Sequence, residues 1–165
     1  MTEPTVRLAE PGEAEAIRSV ARDAYACWTQ RLGRESSPMH WDYAEVVATG
    51  RAWVLELGGE IVGFIDLKND PEMLGIANIA VRSADQGQGY GRRLLAFAEV
   101  EAKRRGYGEI GLYVNALMTE NIALYHHVGY DEVERFQRGG ADQVYLSMTK
   151  RLVTTPGRSG PASRH

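Results

Sequence analysis

Residues 76–95 constrain the fold more than any other stretch of the chain. The run Ile76-Ala77-Asn78-Ile79-Ala80-Val81 leads through Gln86-Gly87-Gln88-Gly89-Tyr90-Gly91 into Arg92-Arg93-Leu94-Leu95. It reads as an apolar strand, a glycine-dense turn and a helix start. Glycines at 87, 89 and 91 let the backbone turn tightly and leave no Cβ between its N–H groups and an approaching ligand. Those N–H groups and the positive end of the helix dipole make a small anion site suited to a phosphate or pyrophosphate. The spacing is G-x-G-x-G, so the dinucleotide fingerprint G-x-G-x-x-G is not met, and no acidic residue closes a second strand at the expected distance. No Gly-Lys-Ser or Gly-Lys-Thr occurs, which excludes the nucleoside-triphosphate loop. What remains is Gln-x-x-Gly-x-Gly after a strand; the plainer alternative is a turn that only joins strand to helix.

The rest of the chain supplies elements around this unit. Thr5 to Ala9 is a short strand, and Pro11, Glu13 and Glu15 suit the first turn of a helix. Ile17, Val20, Ala21, Ala24 and Trp28 recur at helical spacing, which predicts one amphipathic helix over about 12–32, ended by Gly33. Ser36, Ser37 and Pro38 mark a loop, after which Asp42 caps a short helix carrying Tyr43, Val46 and Val47. Residues 52–57 and 61–67 are β-rich and flank Gly58-Gly59, a hairpin signal. Leu94, Leu95, Ala98 and Ala102 form the buried face of a helix capped by Gly106. Ile110, Leu112 and Val114 alternate as a strand, residues 118–127 form a helix closed by Gly129, and residues 130–136 and 143–149 form a second hairpin around Gly139-Gly140. The order β-α-α-β-β-β-α-β-α-β-β predicts a mixed α/β (α+β) fold, with helices flanking a central, twisted, mostly antiparallel sheet.

A chain of 165 residues is the length of one ordinary domain, expected here over 1–153; residues 154–165 are Gly, Pro, Ser and Arg with hardly an apolar residue and are expected to be a disordered tail. A formal net charge of -3 points away from nucleic acid. No apolar run approaches membrane-spanning length and Met1-Thr2-Glu3-Pro4 lacks signal-peptide features, so no membrane and a cytoplasmic location are expected. The single cysteine, Cys27, cannot make an internal disulfide and reads as a small core residue beside Ala24, Tyr25 and Trp28. No Cys/His cluster has metal-ligand spacing, so no metal is expected.

Two motifs resemble the GNAT superfamily of N-acetyltransferases: the loop Gln86 to Gly91 after its strand, and Met118-Thr119-Glu120-Asn121-Ile122-Ala123-Leu124-Tyr125-His126-His127-Val128-Gly129-Tyr130. The second is similar to the superfamily pattern Asn-x-x-Ala-x-x-Leu-Tyr-x-x-x-Gly-Phe, with Met118 where the pattern most often has Asn and Asn121 where it has Ala. The resemblance covers roughly residues 5–150 and implies a GNAT-like fold with acetyl-CoA as cosubstrate. It implies that the strand before the loop is bulged and splays from its neighbour, leaving a slot for the pantetheine arm. Ile79 and Val81 would then supply backbone hydrogen bonds to that arm, and Gln86, Gly87, Gly89 and Gly91 the pyrophosphate cradle. Gln88, Tyr90 and Arg92 would add N–H groups at the helix start; for Arg92 and Arg93 a solvated helix face and contact with a CoA phosphate are both open. Asn121 shares a helix face with Tyr125 and could reach the pantetheine.

Tyr125 matches the position from which many family members protonate the departing thiolate. The reaction implied is direct attack of a neutral primary amine (of a small amine, an amino acid or a polypeptide) on the thioester in a ternary complex, with a backbone N–H near Ile79 at the oxyanion. Ala77 stands where relatives can carry a carboxylate, which leaves Glu56, Asp66, Glu72 and His40 as unranked candidates for the base. The acceptor is expected to be met by the first two helices, their loop and the hairpin 130–149, where Trp28, Met39, Trp41, Asp42 and Tyr43 could line a site; Trp41, Asp42 and Tyr43 are the choice, because an aromatic beside a carboxylate suits a cationic amine. A homodimer is compatible with the sequence. The competing reading is a catalytically silent acyl-CoA-binding or interaction module that kept the fold.

Overall fold

A computed structural model of the chain describes residues 3–138 and 143–153. The expected turn at Gly139-Gly140 and the polar tail lie outside the described residues. Among the described residues, seven strands form one sheet: β1 (Thr5–Leu8), β2 (Ala52–Leu57), β3 (Glu60–Asn69), β4 (Leu74–Val81), β5 (Glu109–Asn115), β6 (Asp131–Gln137) and β7 (Val144–Arg151). They lie in the order β1-β2-β3-β4-β5-β7-β6, antiparallel except where β4 meets β5. The helices are α1 (Ala14–Ala26), α2 (Thr29–Leu32), α3 (Tyr43–Ala48), α4 (Tyr90–Arg104) and α5 (Thr119–His127).

Adjacent residues on the central strands serve opposite faces. Val54 and Phe64 pack with Ile17, Val20 and Tyr43 under α1 and α3, whereas Leu55 and Ile65 pack with Leu94 and Leu95 of α4 and Tyr125 of α5. Leu94 and Leu95 are essentially inaccessible, so each contributes roughly 1.5–3 kcal/mol of burial. Gly58 and Gly59, both at positive φ (60° and 85°), make the tight β2–β3 turn that right-twisted strands require.

Two departures from expectation bear on function. The first helix is not continuous over 12–32: a 3-10 turn spans Pro11–Glu13, α1 ends at Ala26, and α2 restarts at Thr29 before Gly33 closes it at φ 79°. The apolar spacing runs through the break, so periodicity alone does not show it. Cys27, at the end of α1, is exposed rather than in the core, because the helix there has run past the packed sheet to the mouth of a cleft.

Candidate active site

The site begins with an irregularity in β4. Asp66 of β3 faces Asn78, yet the next residue, Leu67, faces Ile76, so Ala77 is the extra residue of a β-bulge. Beyond it β4 parts from β5: the parallel pairing covers only Leu74 to Ile76 against Ile110 to Leu112. The backbone of β4 from Ala77 onward therefore borders a gap in the sheet.

Antiparallel alternation decides which groups face that gap. Arg82 N donates to Val62 O at 2.8 Å, and Gly63 faces Val81 in the next register position. Counting back along β4, the N–H and C=O of Val81 and Ile79 point away from β3, into the opening. Val81 O is taken there by Gln86 Nε2 at 2.9 Å, which fastens the start of the glycine turn to the strand end. Ile79 N–H, Ile79 C=O and Val81 N–H remain directed at the gap.

The turn itself depends on backbone conformation rather than on space. Gly87 and Gly89 have φ of 83° and 86°, and a Cβ at either would meet no atom within 4 Å. Gly91 lies inside α4 at an ordinary helical φ, its nearest neighbour Leu124 Cδ2 at 3.7 Å from an added Cβ. Gly89 is the N-cap of α4 and supplies no side-chain acceptor; the first helical bond runs from Arg93 N to Gly89 O at 3.1 Å. The N–H groups of Tyr90, Gly91 and Arg92 thus lack intrahelical partners at the positive end of a fifteen-residue helix.

These elements wall a cleft of about 730 Å³, bounded by Gln86, Gly87, Gly89, Tyr90, Gly91 and Arg92 on one side and by α1 and α5 on the other. Gln88 is in the turn but does not line the cleft. Arg92 lines it, whereas Arg93 turns toward Glu3 at 3.6 Å. The carboxylates on its wall are already paired, Asp85 with Arg82 at 2.7 Å and Glu120 with Arg31 at 2.8 Å.

A second cavity of about 190 Å³ opens on the other side of the gap, and Tyr25, Ile79, Asn121 and Tyr125 line both. The two chambers therefore meet at the bulged strand and at one face of α5. Tyr125 is 6% exposed, and burial pushes its phenol up to about 12. Asn121, one turn before it, touches Met118 Sδ through Nδ2 at 3.9 Å. At the edge of the junction, Tyr25 OH donates to Asn78 Oδ1 at 2.6 Å, Asn78 Nδ2 donates to Tyr43 OH at 3.0 Å, and Tyr43 OH donates to the carbonyl of Pro38.

Of the three residues expected around the acceptor, Trp41 alone lines the second cavity. Asp42 is used as the N-cap of α3, Oδ1 accepting from Glu45 N at 3.2 Å, and Tyr43 is fully buried in the core. Met39 is buried away from the cavity, and Trp28 lines the first cleft instead. None of the four candidate bases lines either cavity. Glu56 pairs with Arg7, His40 with Glu35, and the inaccessible Asp66 with Arg51 through two bonds of 2.8 and 2.7 Å; Glu72 is exposed. His126 and His127 face solvent.

Residues the sequence did not single out are Tyr25, Asn78, Asn115, Arg138 and Gln143, all lining the second cavity. Asn115 Nδ2 donates to Gln143 Oε1 at 3.1 Å, and Asn115 Oδ1 accepts from Leu117 N at 2.9 Å, which shapes the entry to α5 in place of an N-cap side chain at Met118. A local signal existed for Asn78: it is the one polar residue in the apolar run Ile76 to Val81.

Residues 15–130 match the family model described as acetyltransferase (GNAT) family. A mycothiol acetyltransferase of Jonesia denitrificans is 43% identical over 77 residues, which is 46% of this chain and 24% of that protein. The curated relatives are matched over 24% to 56% of their own lengths. The crystal structure of the ribosomal-protein-S18-alanine N-acetyltransferase from Escherichia coli aligns with a TM-score of 0.74 at 21% identity, covering 96% of this chain and 99% of that one. The PaiA N-acetyltransferase of Thermoplasma acidophilum, in complex with coenzyme A, aligns with a TM-score of 0.76 at 17% identity, covering 90% and 99%. At these identities the solved structures show a shared fold.

Proposed function

The chain belongs to the acetyltransferase (GNAT) family, and from that premise we propose that it moves the acetyl group of acetyl-CoA to a primary amine by direct attack in a ternary complex. The observation that carries this reading is the meeting of a large cleft and a small chamber at Tyr25, Ile79, Asn121 and Tyr125. Two reactants held on opposite sides of one opening meet without a covalent enzyme intermediate.

The residues fit an acyl-CoA. The N–H groups of the glycine turn and of Tyr90 to Arg92 offer donors to a pyrophosphate, with Arg92 beside them. The outward N–H and C=O of Ile79 and the N–H of Val81 match the amide-rich pantetheine arm, and Ile79 N–H would be the donor to the developing oxyanion. When bound, acetyl-CoA supplies the activated acyl group.

Tyr125 remains protonated throughout the neutral range and serves as donor to the departing sulfur. Against a thiol near 8.5, complete transfer from a phenol at about 12 is uphill by roughly 5 kcal/mol, an upper bound because the same burial also disfavours the thiolate. Its part is thus a hydrogen bond that strengthens as charge builds on sulfur, with water restoring the proton balance. Since Glu56, Asp66, Glu72 and His40 all stand away from the junction, the attacking amine loses its proton to solvent.

A screen of amines with acetyl-CoA, followed by thiol release, tests the reading. Product with at least one amine class and intersecting initial-rate lines are expected; parallel lines would contradict direct attack. CoA binding with no product from any amine would favour the silent-module reading.

A further inference from the structure

Resting on the reading just given, we propose that the second cavity selects amines whose carrier bears a carboxylate, with free amino acids as the simplest case, rather than polycations. The chain as a whole is acidic, with 22 Asp and Glu against 19 Lys and Arg. The described lining of the cavity departs from that balance: it includes the guanidinium of Arg138 and no Asp or Glu. Asp42, the carboxylate that would have suited a cationic acceptor, is occupied at the start of α3.

The position of Arg138 supports the same reading. Its guanidinium lies over the rings of Tyr113, Phe136 and Tyr145 at 5.2, 5.5 and 5.6 Å from their centroids. Stacking on aromatic faces leaves the N–H edge of a guanidinium able to take a carboxylate, and the rings hold it in one orientation. Tyr113 and Tyr145 line the cavity beside it, so the wall joins an anion donor to flat apolar surface. Asn78, Asn115 and Gln143 add amides and no charge. The Arg138 guanidinium also disfavours an ammonium ion beside it, so an amine entering this cavity is biased toward the neutral form that attacks. That bias suits a cavity whose described lining holds no carboxylate base.

The test is kcat/KM at saturating acetyl-CoA, by thiol release, for free amino acids, their carboxamides, peptides with Asp in second position, and polyamines. The expected result is that the free acid exceeds its own carboxamide by about tenfold or more, chiefly through KM. Arg138→Gln should remove that advantage and bring the acid and the carboxamide to parity, and the control Arg135→Gln, whose partner is Glu132 on the surface, should leave the acid-to-carboxamide ratio as in the parent. A preference for the Asp-containing peptides with the same Arg138 dependence would support the carboxylate chemistry and assign it to a polypeptide. Equal rates for acid and carboxamide, or preference for polyamines, would overturn this inference and leave the acetyltransferase reading standing. No thiol release with any acceptor, in protein that CoA still stabilises thermally, would overturn both.

Discussion

Tyr25 of α1 and Asn78 of β4 are joined by a 2.6 Å hydrogen bond across the junction of the two cavities, and the same asparagine donates to Tyr43 OH. Asn78 is 4% exposed, so both of its bonds are made away from water. They fasten the helix that roofs the cleft to the strand whose bulge opens it.

Asn78→Leu keeps the volume and removes both partners, leaving Tyr25 OH without its acceptor. The expected loss is about 2–4 kcal/mol of stability. It should appear as a lower urea midpoint with an unchanged slope. A midpoint equal to that of the parent would mean that the network is incidental.

Gly89 and Gly91 should respond differently although they lie two residues apart. At Gly89 the φ of 86° strains any L side chain, and a carboxylate would stand among the N–H groups offered to the pyrophosphate. Gly89→Glu should abolish the thermal shift given by CoA, whereas Gly91→Ala, with its nearest neighbour 3.7 Å from the added Cβ, should retain a stable fold. An unaltered CoA shift in Gly89→Glu would remove the loop from the binding site.

The acid limb of stability should depend on Glu101. Its carboxyl, bonded to Arg104 and Arg105 at the end of α4, is lowered from 4.5 to about 2, Arg104 being the larger cause. A depressed folded value means that this stabilisation is complete above about pH 4.5 and is lost as pH falls toward 2. Glu101→Gln should flatten the dependence of unfolding free energy on pH across that window. Identical acid limbs in parent and variant would contradict the assignment.

With Glu56, Asp66, Glu72 and His40 all away from both cavities, no carboxylate or imidazole among them is placed to deprotonate the acceptor. The log of kcat/KM should therefore rise with pH at unit slope toward the pKa of the acceptor's own amine, and the inflection should move when the amine is changed. An inflection fixed near pH 6–7 whatever the amine would reveal a base on the protein.

These tests divide along the line between local and long-range information. The strand-turn-helix unit was legible because Gly87 and Gly89 adopt a φ that other residues avoid, a property written at single positions. The Gly58-Gly59 hairpin was legible for the same reason. The break after Ala26 was not, since Ile17, Val20, Ala24 and Trp28 keep helical spacing across it. The bulge in β4 was implied by the resemblance, but its place at Ala77 was not, because no glycine or proline announces it and it exists only in the register with Leu67. The second cavity gathers Ser36, Trp41, Asn78, Asn115, Arg138 and Tyr145 from segments far apart in sequence. That Arg138 stands on its wall is a product of topology, whereas Trp41 next to Asp42 suggested a carboxylate there.

The central claim is that Tyr125, shared by both cavities, supports departure of the thiolate. Tyr125→Phe keeps the ring packed 6.0 Å from Tyr130 and deletes the donor alone. Turnover at saturating acetyl-CoA and acceptor, with chemistry shown to be rate-limiting, should fall by roughly 10²-fold while CoA affinity and thermal stability hold. Turnover equal to that of the parent would contradict the assignment.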